Sequence, residues 1–212
     1  MKQAVIIYGA GGFAREVAWL AEEAGYEVLC FVDDDLKNQG KTLNGIPIAS
    51  LEEAAKKAQI AKMVIAVGNP QVREHLAQKA EAMGLSFGTI IHPNVRMSKW
   101  VEIGEGTIIT AGNILTTNIR IGKHVHINLD CTVGHDALLD DFTTLAPGVH
   151  VSGWVYLGKR VYIGTGAVII NGTSQQPLTI GNDVVVGAGA VVTKPVPAGL
   201  TVVGVPAKPL RK

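Results

Sequence analysis

The chain has 212 residues, 47% of them apolar, and a formal charge of +1, which is enough apolar content for one or two cored domains. A charge so near zero excludes a basic footprint for nucleic acid or an anionic membrane. Cys30 and Cys131 lie in different halves, no signal-peptide pattern opens the chain, and no apolar run reaches membrane-spanning length; these features argue against a disulfide scaffold or a bilayer protein and point to a reducing cytoplasm.

Residues 3–8, Gln-Ala-Val-Ile-Ile-Tyr, read as a buried parallel strand that runs directly into Gly9-Ala10-Gly11-Gly12-Phe13-Ala14. A helix follows from Phe13 to Ala24, with Phe13, Val17 and Leu20 on one face and Gly25 at its end. A second strand, Glu27 to Val32, finishes at Asp33-Asp34-Asp35. Glycines let a backbone approach phosphates at a helix N-terminus, where free amides and the helix dipole favour anions, and an acid about twenty residues on accepts from a ribose hydroxyl. A helix over 51–58, a strand over 62–67, a helix over 71–83 and a last strand over 85–91 complete the unit. Open α/β sheets bind ligands at the carboxyl ends of their strands, so Asp33, Gly68 and Asn69 line one crevice with the glycine loop. Arg73 stands early in its helix, either within reach of a phosphate or in solvent. Without a second mononucleotide half, the unit fits a nucleotide-diphosphate ligand better than a dinucleotide.

Ile91-His92-Pro93 marks a junction, with Pro93 ending the strand and His92 read as structural. Beyond it the chain repeats every six residues. Met97, Ile103, Ile109, Leu115, Ile121, Ile127, Val133, Leu139, Leu145, Val151, Leu157, Ile163 and Ile169 form an unbroken aliphatic register. Small or β-branched residues recur four positions after each, and Gly follows directly at Gly104, Gly122, Gly134, Gly158 and Gly164. This period fits neither a helix nor a lone strand. It fits a coil of short strands joined by tight turns, with the aliphatic residue inward and Gly easing the corner. The frame slips once, expelling a loop near residues 173–178 before Ile180 and Val186 resume it. At three strands per turn the prism has about five coils and stands about 25 Å tall.

His135 follows the inward Val133 by two positions, which puts it at a corner, with Asp136 next to it. A histidine is the natural general base near neutral pH, able to take a proton from an amine or hydroxyl attacking a thioester. A corner histidine is solvent-exposed on an isolated prism and becomes enclosed only if a second prism packs alongside, which implies a trimer with sites between subunits. Cys131 points inward and is no nucleophile. His124, His126, His135 and His150 differ in hexad phase, which argues against the three converging ligands of a catalytic zinc site.

The order Gly9-Ala10-Gly11-Gly12, Asp33-Asp34, Val67-Gly68-Asn69 with Arg73, Gly134-His135-Asp136 and Gly204-Val205-Pro206-Ala207-Lys208 resembles, over essentially the whole chain, a family of hexapeptide-repeat sugar acetyltransferases. That family includes the sialic acid O-acetyltransferases and the bacterial UDP-4-amino-sugar N-acetyltransferases. The resemblance implies a Rossmann-like parallel α/β domain over 1–91 that binds a nucleotide sugar, and a left-handed parallel β-helix over 92–212 that ends in a short tail and holds acetyl-CoA between the subunits of a homotrimer. It also implies N-acetylation of a nucleotide-linked amino sugar for bacterial surface glycans, without a metal. By position, His135 is the base, Asp136 its acidic neighbour, and Asn128 lies near the reacting centre. Gly11, Gly12, Phe13, Asp33, Asp34, Gly68, Asn69 and Arg73 fall on the nucleotide-sugar side. Thr144, Gly153, Thr165 and Ala188 fall along the CoA groove. Phe13 and Thr144 stand where relatives carry histidines. Acetylation of a sugar hydroxyl, a zinc-dependent carbonic anhydrase on the same coil, and a non-catalytic nucleotide-sugar binder are the alternatives.

Overall fold

A computed structural model describes residues 3–210. The first half is a five-stranded sheet flanked by helices, with strands β1 (Ala4–Tyr8), β2 (Glu27–Val32), β3 (Thr42–Leu43), β4 (Ile46–Ala49) and β5 (Ala61–Ile65) in the order β3-β4-β2-β1-β5. β1 pairs in parallel with β2 and with β5, so the strand order reverses beside β1 and opens a crevice at the carboxyl ends. Gly9 sits at that reversal with φ +120, where a Cβ would lie 2.9 Å from the Ala66 carbonyl, so only glycine fits between the two strands.

Helix α1 (Gly12–Glu23) buries Ala14, Val17, Ala18, Leu20 and Ala21 against the sheet, and Gly25 closes it at φ +81. Helix α2 (Leu51–Ala55) starts from a Ser50/Glu53 capping box and is shorter than the span expected over 51–58. Helix α3 (Pro70–Ala82) takes its N-cap from Asn69, whose side chain accepts from the Val72 amide at 3.0 Å, and Pro70 occupies the first turn. The hairpin β3–β4 was not anticipated, although Asn44-Gly45, both at positive φ, is a two-residue turn signal.

The strand expected over 85–91 does not form in this sheet. Phe87 makes only an isolated bridge to Met63, and Ile90–Ile91 pairs instead with Ile108–Ile109 as the first rung of the second half. That half is a left-handed parallel β-helix with faces of eight, six and five strands. Successive coils pair at a spacing of eighteen residues, as in Ile114↔Thr132 and Thr132↔His150. The expelled loop widens the spacing to twenty-three on all three faces of one turn, at Val155↔Leu178, Tyr162↔Val185 and Val168↔Val191. From Ile109 to Ile169 every residue of the aliphatic register is buried, whereas Met97 at the open end is 45% exposed. None of the described helices is long and apolar enough to cross a membrane.

The corners obey a third register that the sequence reading missed. Gly106, Gly112, Asn118, His124, Asp130, Asp136, Phe142, Gly148, Trp154, Arg160 and Gly166, six apart, all have positive φ. The glycines that directly follow the aliphatic register do not share that conformation, so their role differs from the corner-easing one expected. A Cβ on Gly104 would lie 2.6 Å from the carbonyl carbon of Gly122, and one on Gly134 would lie 2.6 Å from the Gly153 nitrogen. They are glycines because the next coil's backbone occupies the Cβ position.

Candidate active site

The crevice at the strand ends, a cavity of about 470 Å³, is lined by the glycine loop from Gly9 to Phe13, Asp33, Asp34, Gly68 and Leu76 among others. α1 has Gly11 as its N-cap, with no side-chain cap and no acid in its first turn, so its leading amides face the crevice as anion donors. Asp34 accepts from the Tyr8 hydroxyl at 2.9 Å and from the Lys79 ammonium at 2.7 Å. Burial works to raise the Asp34 pKa, but the bonds from Lys79 and Tyr8 outweigh it and leave the carboxyl below its ordinary range. Burial first, then the bond to Asp34, pushes the Tyr8 phenol up. Asp33 serves the following loop: its Oδ1 accepts from the Asp35 amide and its Oδ2 from the Asn38 side chain, both at 2.9 Å. Asn69 is turned to its helix cap and lines a neighbouring cleft with Arg160 and Tyr162.

Arg73 is neither at a phosphate nor in solvent. It is fully buried where the α/β unit docks on the β-helix. Nε donates to the His124 carbonyl (2.9 Å), Nη1 to the Val67 carbonyl (2.8 Å), and Nη2 to the Phe142 carbonyl (2.6 Å) and the Thr144 hydroxyl (2.8 Å). Nη1 also meets Nδ1 of His126 at 3.2 Å. Burial lowers the guanidinium pKa to about 9, so it stays charged at neutral pH, held by carbonyl oxygens in place of a carboxylate.

Thr144, expected in the CoA groove, is therefore covered by the α/β unit, its hydroxyl also bonded to the Gly68 carbonyl at 3.3 Å. His124 stacks on Phe142 with ring centroids 5.0 Å apart and packs T-shaped with Phe87 at 4.4 Å, and Phe13 lies 5.2 Å from His126. Burial, then the Arg73 charge, brings the His124 pKa down to about 4 and that of His126 well below its ordinary value. Phe13 thus joins the crevice to the docking face. Beside it, Arg160 binds Asp183 at 2.7 Å and Glu74 at 3.0 Å.

His135 stands at a different corner, between the six- and five-stranded faces, with its side chain 57% exposed. Its Nδ1–H donates to Asp136 Oδ2 at 2.8 Å. Adjacent residues on an extended strand point apart, but Asp136 has φ +58, and this left-handed turn folds its carboxylate back onto the preceding imidazole. With Nδ1 committed to Asp136, Nε2 is the ring nitrogen left to act as a base. Asn118, one coil earlier, donates from Nδ2 to the other carboxylate oxygen at 3.4 Å. Beside this column runs a groove of about 470 Å³ lined by Trp100, Asn118, Arg120, Asp136, Trp154 and Tyr156 among others.

The remaining expected residues do not converge with His135 in one chain. Asn128 lies one corner earlier and gives its amide to the Leu145 carbonyl at 2.7 Å. Thr165 and Ala188 are exposed on the corner between the eight- and six-stranded faces. Gly153 alone lies against the His135 ring. The other histidines disperse: His150 pairs with Thr132 at 2.9 Å, and the described residues contain no group of three His, Cys, Asp or Glu placed to hold a metal. Burial raises the Cys131 thiol to about 11, and its Sγ donates to the Ala146 carbonyl.

A hexapeptide β-helix carrying a histidine–carboxylate pair at one corner, with a phosphate-type crevice on an attached α/β unit, defines the class of hexapeptide acyltransferases. Residues 4–80 match the model of the PglD N-terminal domain. GDP-perosamine N-acetyltransferase of Escherichia coli O157:H7 is 37% identical over 213 residues, covering 97% of this chain and 96% of the relative. A point mutant of perosamine N-acetyltransferase from Caulobacter crescentus, solved in complex with CoA and GDP-perosamine, superposes with a TM-score of 0.91 at 31% identity, covering 99% of this chain and 97% of that one. The acetyltransferase domain of PglB from Neisseria gonorrhoeae FA1090, solved with acetyl coenzyme A, superposes with a TM-score of 0.88 at 34% identity over 99% of this chain and all of its own. The chain belongs to the hexapeptide-repeat sugar N-acetyltransferase family, and it is an acyltransferase.

Proposed function

We propose that this enzyme moves the acetyl group of acetyl-CoA onto the amino group of a sugar carried on a nucleoside diphosphate, in a step that supplies bacterial surface glycans. The observation that carries the reading is the His135–Asp136 pair, which leaves Nε2 free as a base on a chain similar from end to end to a nucleotide-sugar N-acetyltransferase. His135 takes a proton from the sugar ammonium or from the attacking amine, the N–C bond forms, the C–S bond breaks, and the CoA thiolate leaves with a proton returned from the imidazolium. Coil amides hold the developing oxyanion.

The glycine loop with Asp34 receives the nucleotide sugar, and Thr165 and Ala188 face the CoA, while the space over the buried Gly153 is taken by the His135 ring. In one chain these groups occupy separate corners and the crevice, so the complete site forms between subunits of a homotrimer. A UDP-linked 4-amino sugar is the expected acceptor, and the similarity to GDP-perosamine N-acetyltransferases makes the GDP-linked counterpart the first competitor.

Thiol release from acetyl-CoA with UDP- and GDP-linked amino sugars, their hydroxyl analogues, CMP-sialic acid and sialic acid tests this reading. Turnover confined to an amino sugar nucleotide and at least 100-fold lower in His135→Ala is the expected result. Turnover on a hydroxyl acceptor overturns it. Mixed trimers of His135→Ala and a Gly11→Trp crevice variant are expected to regain activity that neither has alone.

A further inference from the structure

We propose that the coils above and below His135 aim it, with Gly153 as its seat and Asn118 as the prop of its carboxylate. This rests on the reading of His135 as the base. The glycine Gly153 is eighteen residues after His135, which makes it the same corner position one coil on. A Cβ built on it would lie 2.6 Å from both Cε1 and Nε2 of His135 and 3.0 Å from Cδ2. The ring therefore fills the volume a side chain would need.

Gly153 is buried and does not lie at positive φ, so its backbone accepts alanine without strain. The contrast is with Gly104 and Gly134, whose missing Cβ atoms would meet the backbone of the next coil. Alanine at Gly153 meets a rotatable imidazole and displaces it, leaving the coil ladder intact. The next amide, that of Trp154, donates to the His135 carbonyl at 3.0 Å and fixes the seat relative to the residue it supports.

From the other side, Asn118 Nδ2 holds Asp136 Oδ1 at 3.4 Å while Oδ2 holds the imidazole at 2.8 Å. Asn118, Asp136 and Trp154 are successive corner residues of one column, all at positive φ. The other charged or titratable groups along this column are Lys99, Glu102, Arg120 and Tyr156 in the groove, with His150 on the adjoining face bonded to Thr132. None of them is bonded to Asp136 among the described residues, so Asn118 is the one side chain other than His135 that holds the carboxylate.

Gly153→Ala, Asn118→Ala and Asn118→Asp are compared with His135→Ala in the full-length enzyme. Gly153→Ala is expected to lower kcat about 100-fold, with KM for both substrates within twofold and an unchanged melting temperature. Asn118→Ala loosens the carboxylate and moves the acid limb of the kcat/KM profile to lower pH. Asn118→Asp adds a negative charge beside the imidazolium and moves that limb up. The inference is overturned if Gly153→Ala keeps wild-type kcat, if it raises KM for acetyl-CoA alone, or if the Asn118 variants leave the limb in place while His135→Ala is inactive. Full turnover by His135→Ala sinks the underlying base assignment instead, a result separate from these.

Discussion

At the scale of single residues, burial of polar groups explains most of the departures from expectation. Arg73 was legible as a cation near a crevice, but three of its acceptors are carbonyls fifty to seventy positions away, and carbonyls leave no trace in a sequence. The same holds for His124 and His126, whose burial depends on Phe87, Phe142 and Phe13 arriving from distant elements. His124 carries a pH dependence. It stays neutral when folded, with its pKa near 4, against 6.5 when unfolded, so its contribution is complete above pH 6.5 and is lost as pH falls toward 4. The loss is roughly 3 kcal/mol, and His126 shifts in the same direction. Urea unfolding of the wild-type protein at pH 7.5 and pH 5 is expected to show a drop in stability that His124→Asn, compatible with the left-handed corner, reduces.

At the scale of elements, the β-helix was legible because each coil repeats one demand, an inward aliphatic side chain every six residues. The expelled loop was legible for the same reason, as a break in that demand. The corner register was not, because Gly, Asn, Asp, His, Phe, Trp and Arg all occupy it and share no chemistry beyond tolerating a left-handed backbone there. Tight glycines and corner glycines respond differently to substitution. Gly104→Ala drives a Cβ into the Gly122 backbone and is expected to cost about 2 kcal/mol. Gly148→Asn, at φ +69 with its nearest heavy atoms 4.0 Å away, is expected to change stability by less than about 0.5 kcal/mol. Thermal denaturation of the two variants side by side checks the order. The crevice was legible at its glycine loop and at Asp34, whereas Asp33 and Asn69 belong to local turns and caps that use the same residue types as ligand sites do.

For the molecule as a whole, the β-helix is a stack in which each coil touches only the coils beside it, and such a stack tends to fray from its ends. Arg73 changes that by binding the carbonyls of His124, Phe142 and Thr143, which belong to two successive coils, while its Nη1 holds Val67 and Gly68 in the other half. Unzipping from the C-terminal end has only the surface links Gln71–Asp183 and Glu74–Arg160 to break as it passes Val185 and Tyr162, but it cannot pass Thr144 without tearing the guanidinium from its carbonyls. Amide hydrogen exchange is therefore expected to be graded, fast at Thr201–Val203 and slow at His126–Ile127 and Thr144–Leu145. Arg73→Met is expected to flatten the gradient and to release the protection of β5 together with that of the middle coils. One arginine makes the stability of the crevice and that of the coil stack a single cooperative quantity.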